Sequence, residues 1–164
     1  MTTETRRSAM SLFRVLSPIH QANRQASLHI DGLLVDLSVT AQEGQLLAFV
    51  SVRNGVPVTA ICRLLGVPKS TATSLLKRLE KAGLTSRAGN PEDARSWLIF
   101  TTSKGRRIGA AARERVLKLE RRIQARLAQA DLDALVRIVN AVTAETGIDL
   151  AAEAPRRRNS QGGR

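Results

Sequence analysis

The chain has 164 residues, 43% of them hydrophobic but only 2% aromatic, so one compact unit with an aliphatic core fits and two large domains do not. Lys and Arg number 26 against 14 Asp and Glu, and the formal net charge of +12 points to a polyanionic partner, nucleic acid first. One cysteine excludes an internal disulfide, no apolar run reaches the roughly 20 residues of a bilayer span, and residues 1–20 lack the apolar stretch of a secretion signal, so a cytoplasmic protein with no membrane partner is expected.

From Leu12, positions Leu16, Ile19, Asn23, Ala26, Ile30, Leu33 and Leu37, all but Asn23 apolar, recur at alternating steps of four and three, the seam of a helix that packs along another. Pro18 lacks a backbone N–H, so it either kinks this helix or starts it afresh. His20 and His29 fall on the same helix and could line a crevice beside it, but neither is assigned as a ligand. Thr40-Ala41-Gln42-Glu43 has the form of a capping box, predicting a helix from Ala41 to about Arg53 that Asn54-Gly55 ends.

Two short helices follow, Val58 to Leu65 stopped by Gly66, and Pro68 to Ala82 stopped by Gly83. On the second, Ala72, Leu75, Leu76 and Leu79 share one side, while Ser70, Ser74, Lys77 and Lys81 lie opposite, flanked by Thr71, Thr73 and Arg78. No Asp or Glu occurs between Gly44 and Leu79, whereas Arg53, Arg63, Lys69, Lys77 and Arg78 all fall there. A helix placed in a major groove needs this combination: an apolar anchor, short polar and basic side chains outward, and the positive end of its dipole toward phosphate.

Thr85 to Arg87 and Ser96 to Thr101 read as two strands joined by a polar turn, Gly89 to Asp93. Thr102 caps the next helix, which carries Ile108, Ala112, Val116, Leu119, Ile123 and Leu127, and Asp131 caps a last helix with Leu135, Ile138, Val139 and Val142. Residues 151–164, with Arg156-Arg157-Arg158 and Gly162-Gly163, have too few apolar groups to order and read as a disordered basic tail.

The order of short helix, Gly turn, Ser/Thr-rich helix, Gly and basic hairpin resembles the winged-helix pattern of the MarR family of transcriptional regulators. The matching stretch runs from Val58 through Thr71 and from Leu79 to Leu84, and Asn90-Pro91-Glu92-Asp93-Ala94-Arg95-Ser96 is similar to the family's hairpin tip with its Asp-x-Arg-Ser/Ala signature. Thr102-Ser103-Lys104-Gly105 resembles the family's entry to a long helix, with Thr101 in place of the usual Leu. Pro68 stands where many members have a capping Ser; its Pro-Lys-Ser-Thr context also occurs in the IclR family, for whose separate effector domain the chain has no room.

The resemblance implies a mainly α fold with a small β-hairpin wing (α+β), a winged helix-turn-helix over 40–101 flanked by dimerisation helices at 8–38 and 102–146. It implies a homodimer that binds double-stranded DNA at a pseudo-palindromic operator, half-site centres about 10 bp apart, as a repressor released by a small hydrophobic or phenolic effector. The expected DNA contacts are Lys69, Ser70, Thr71, Thr73, Ser74, Lys77 and Arg78 on the reading helix, and Arg87, Asp93, Arg95 and Ser96 on the wing. Arg95 inherits a minor-groove role, with Asp93 orienting it, because a narrow minor groove favours a guanidinium.

No nucleophile–base pair, carboxylate pair, metal spacing or phosphate loop is visible, so neither catalysis nor a metal or cofactor is expected. Cys62, beside Ile61 and Leu65, reads as a small buried hydrophobe rather than a redox sensor. The alternative function is a winged-helix protein- or RNA-interaction module without operator binding, disfavoured because aromatic platforms for unpaired bases are lacking.

Overall fold

The computed structural model describes residues 13–53, 55–91 and 93–147. Leu12, Asn54, Glu92 and the expected basic tail lie outside the described residues. Helix α1 spans Leu16–Leu34. Pro18 sits in its first turn, where an N–H has no intrahelical acceptor in any case, so the expected break takes the form of a helix start. A 3-10 turn, Val35–Leu37, ends with Ser38 in the left-handed region at φ 55°.

Helix α2, Ala41–Ser51, begins with the predicted capping box: Thr40 Oγ1 accepts from Glu43 N at 3.3 Å and Glu43 Oε2 accepts from Thr40 N at 2.8 Å. It ends two residues short of the expected Arg53. Strand β1, Val56–Pro57, leads into α3, Val58–Leu65, and α4 follows over Lys69–Lys81. Gly66 and Gly83, at φ +63° and +69°, turn the chain sharply after these two helices.

Strands β2, Thr85–Asn90, and β3, Asp93–Thr101, form the wing and run further toward its tip than alternation alone predicts. The sheet order is β1-β3-β2, all antiparallel, with Val56 opposite Ile99 and Arg87 opposite Ile99 from the other side. Strand β1 was not expected, because two residues carry no periodicity to read. Thr102 caps α5, Ser103–Gln124, by accepting from Gly105 N at 3.0 Å. Helix α6, Gln129–Thr146, starts earlier than expected: Asp131 is its third residue, and its carboxylate reaches back to Ala128 N at 2.8 Å.

A single buried cluster draws on every element of the winged unit except β2. Leu46, Leu47 and Val50 of α2 meet Ile61 and Cys62 of α3, Ala72, Leu76 and Leu79 of α4, and Ile99 of β3. From the flanking helices, Leu34 of α1 and Ala112 of α5 join it, and no residue of α6 is buried. Ile30, Leu37 and Ile108 pack half-buried against this cluster, while other apolar residues of the long helices stay open, with Leu28 59% exposed, Leu135 54% and Val136 58%. No single described helix is long and apolar enough to cross a membrane; α1 and α2 reach that length only together, across a 71° bend, and the apolar side of α2 is core.

One clasp ties α5 to the exit of α1. The Arg115 guanidinium donates to Leu33 O at 2.6 Å and to both carboxylate oxygens of Asp36. The hydrogen bond from Arg115 holds the Asp36 carboxyl below its ordinary value against the opposing effect of burial, with the Arg115 charge adding to it. A depressed folded-state pKa stabilises above the ordinary Asp value, and the contribution is lost as pH falls through the depressed one. Urea unfolding across the acid range is therefore expected to show a steeper loss of stability below about pH 4 in the native chain than in Asp36→Asn. Identical acid limbs would contradict the clasp.

Candidate nucleic-acid interface

Helix α4 is fixed by its buried side. Ala72, Leu75, Leu76 and Leu79 are all buried, which forces Ser70, Thr71, Thr73, Ser74 and Lys77 outward. The exposed row carries small hydroxyls and cations with no carboxylate before Glu80. Thr73 Oγ1 donates to Lys69 O at 2.7 Å and Ser74 Oγ to Ser70 O at 3.0 Å, so both hydroxyls keep acceptor lone pairs outward and can rotate to donate elsewhere.

The helix starts at Pro68, which makes no side-chain cap, and its first turn holds no acidic residue. Its leading N–H groups and the positive end of its dipole therefore remain available to an anion. The departure at Pro68 removes the expected capping hydroxyl without displacing the helix start.

Arg78 has a different position from its neighbours. Its Nε lies 2.6 Å from Oε1 of Glu43, a carboxylate whose side chain is only 8% exposed and whose other oxygen completes the capping box of α2. Arg78 thus joins the reading helix to α2, a task its place on the helical wheel did not indicate. Arg78→Ala would leave a buried carboxylate oxygen without its cation, at a cost on the order of 1–3 kcal/mol in urea-unfolding stability; an unchanged midpoint would refute the structural role.

On the wing, Asp93, Arg95 and Ser96 belong to β3 beside its turn. Ser96 Oγ donates to Asp93 O at 3.1 Å and accepts from Asn90 Nδ2 at 2.8 Å, which closes the tip on itself. Arg87 stands further down, on β2, with its guanidinium 4.9 Å from the Trp97 ring centroid and its Nε 3.5 Å from Glu80 Oε1. Helix α4 and the wing thus flank a cleft of about 110 Å³, floored by Val58, Leu76 and Ile99. Neither Trp97 nor Glu80 stood out in the sequence, because their link to Arg87 depends on strand register and on the packing of α4 beside β2.

A larger cavity of about 400 Å³ lies between α1, α2 and α5, lined by Ala26, Ile30, Ala48, Leu65 and Val116 among others. His20 and His29 are exposed on α1 and do not line it. Cys62 is fully buried, and burial pushes its thiol up, away from the reactive thiolate. Among the described residues no group of three or more His, Cys, Asp or Glu is placed to hold a metal ion.

The sequence of residues 37–96 matches the model of the MarR family. The match falls on the winged-helix unit, 60 of the 164 residues. A solved protein that carries this family's name is a transcription regulator. The fold agrees across most of the chain. A MepR–DNA complex from S. aureus superposes with a TM-score of 0.70 at 17% identity, over 79% of this chain and 96% of that one. A mutant of E. coli MarR complexed with operator DNA gives 0.68 at 22% identity, over 81% and 96%. The transcriptional repressor CouR bound to a 23-mer DNA duplex gives 0.65 at 25% identity, over 82% and 96%. No curated protein matches the chain in sequence. The MarR-family match covers α2 through the start of β3, and the shared fold extends onto the long helices on either side.

Proposed function

We propose that this chain is a sequence-specific double-stranded DNA-binding transcriptional repressor that acts as a homodimer. The observation that carries the reading is helix α4, whose apolar side is locked into the core while Ser70, Thr71, Thr73, Ser74 and Lys77 stand outward beside a basic wing. Side chains of that kind donate to and accept from base edges, and the cations meet phosphates. The MarR-family relatives with DNA in their structures support the same choice of partner.

Dimerisation rests on the long helices. Residues 8–38 and 102–146 are assigned as the dimerisation segments, because α1, the outer part of α5 and all of α6 expose apolar residues that one winged unit cannot cover. A second copy brings two reading helices and two wings to one duplex. A small hydrophobic or phenolic effector is assigned to the cavity between α1, α2 and α5, because those elements join the dimer helices to the winged unit. Occupancy there shifts the spacing of the two reading helices and releases the operator. The chain is assigned to the cytoplasm with the DNA it reads.

Electrophoretic shifts against duplex DNA, single-stranded DNA and RNA over a range of salt concentrations test the reading. Preferential duplex binding that weakens steeply with salt is expected. Equal or stronger binding to RNA, or binding to none of the three, would favour an interaction module instead.

A further inference from the structure

Arg87, on the wing, is held between two partners of opposite kind. The indole of Trp97 lies 4.9 Å from its guanidinium on one side, and the Glu80 carboxylate lies 3.5 Å from its Nε on the other. Strand register produces the first contact: Arg87 is opposite Ile99, so Trp97, two residues back along β3, sits diagonally from it on the same side of the sheet. Helix α4 supplies the second, since Glu80 projects from its last turn over β2. The arginine and the glutamate are about half exposed, with side chains at 52% and 42%, and Trp97 is 48% exposed. A large aromatic ring left that open at the root of a basic wing is not core.

The surroundings are asymmetric in charge. Among the described residues, Lys69, Lys77 and Arg87 line the cleft as cations, and Glu80 is its only acid. An ion pair this exposed is weak and screened by salt, so a second anion can replace the carboxylate at little cost. A guanidinium stacked on an indole keeps its plane fixed while its N–H groups stay free to donate.

Resting on the DNA-binding reading above, we propose that Glu80 is a built-in stand-in for phosphate. It occupies Arg87 in the free protein and yields it to a DNA backbone phosphate on binding, while Trp97 serves as the shelf that keeps the guanidinium aimed. Glu80 thereby lowers affinity for every duplex alike, because a phosphate carries no sequence information.

The experiment measures duplex dissociation constants at several salt concentrations for the native chain, Glu80→Gln, Arg87→Ala and the double variant. Glu80→Gln is expected to tighten binding about two- to fivefold on specific and unrelated duplexes alike. In the Arg87→Ala background the gain should shrink toward none, since the carboxylate then has no cation to occupy. The same gain in both backgrounds, or no gain from Glu80→Gln, would overturn the proposal.

Trp97→Ala should weaken binding and Trp97→Phe restore it, with both variants unfolding at the native urea midpoint; equal loss in both would remove the shelf. Trp97 is the only tryptophan of the chain, so its emission reports the site directly. Emission that changes when duplex is added to the native chain but not to Arg87→Ala is the expected signature. A native chain that binds no duplex would defeat the DNA-binding reading itself, whereas binding without these couplings would defeat only the stand-in role.

Discussion

Gly105→Ala is expected to lose about 3 kcal/mol of unfolding free energy, the largest effect of a methyl added at any described glycine. A Cβ built on Gly105 falls 1.9 Å from the carbonyl oxygen of Leu84 and 2.9 Å from its carbon. That carbonyl has no freedom to retreat. It accepts from Thr102 N at 3.1 Å, and Leu84 itself is buried and bonded through its own N–H to Leu79 O at 2.9 Å. The backbone at the end of α4 and the first turn of α5 therefore meet with no room for a side chain.

Gly109 repeats the arrangement one turn on, where a Cβ would lie 2.8 Å from the backbone carbonyl of Leu47. Gly32, on α1, is the contrast, with nothing within 4 Å of its built Cβ. Gly32→Ala is expected to gain about 0.5–1 kcal/mol from helix propensity alone. Urea unfolding of the two variants separates the cases: a higher midpoint for Gly32→Ala, a much lower one for Gly105→Ala. Equal midpoints would mean that α5 does not dock through glycine.

The second large effect concerns DNA. Arg95→Ala is expected to cost about 1–3 kcal/mol of duplex affinity and to relax preference at the base pairs under the wing tip. Lys77→Ala is expected to weaken all duplexes alike and to reduce the slope of log affinity against log salt by about one. The difference follows from what each cation is proposed to meet: a groove whose width depends on sequence, against a phosphate that is the same everywhere. Competition shifts with specific and scrambled duplexes distinguish the two. A double variant with native affinity would remove both residues from the interface.

Local rules made much of the fold readable from the sequence. The capping box at Thr40 and Glu43, the Gly66 and Gly83 turns and the anchoring side of α4 each depend on residues within a turn or two of one another. Element ends were less legible, because wing residues such as Gly89 and Asn90 enter a strand through pairing with β3 and not through their own preferences. Strand β1 exists only because Val56 and Pro57 find Leu98 and Ile99 some 40 residues on.

The same limit applied at the candidate interface. The outward row of α4 could be drawn from the 3.6-residue period, but the Glu43–Arg78 bridge spans 35 positions and the Arg87–Trp97 stack needs a register. Of the two α5 glycines Gly105 and Gly109, the first alone could be read as part of a helix entry. Their use as a backbone-to-backbone dock with Leu84 and Leu47 requires the packed structure.

Selection of binding sites from a pool of randomised duplexes by the purified chain tests the central claim most directly. Two copies presenting paired reading helices predict enrichment of inverted half-sites whose centres lie about one helical turn, roughly 10 bp, apart. A pool that stays random, or one that enriches a lone half-site with no inverted mate, would contradict it.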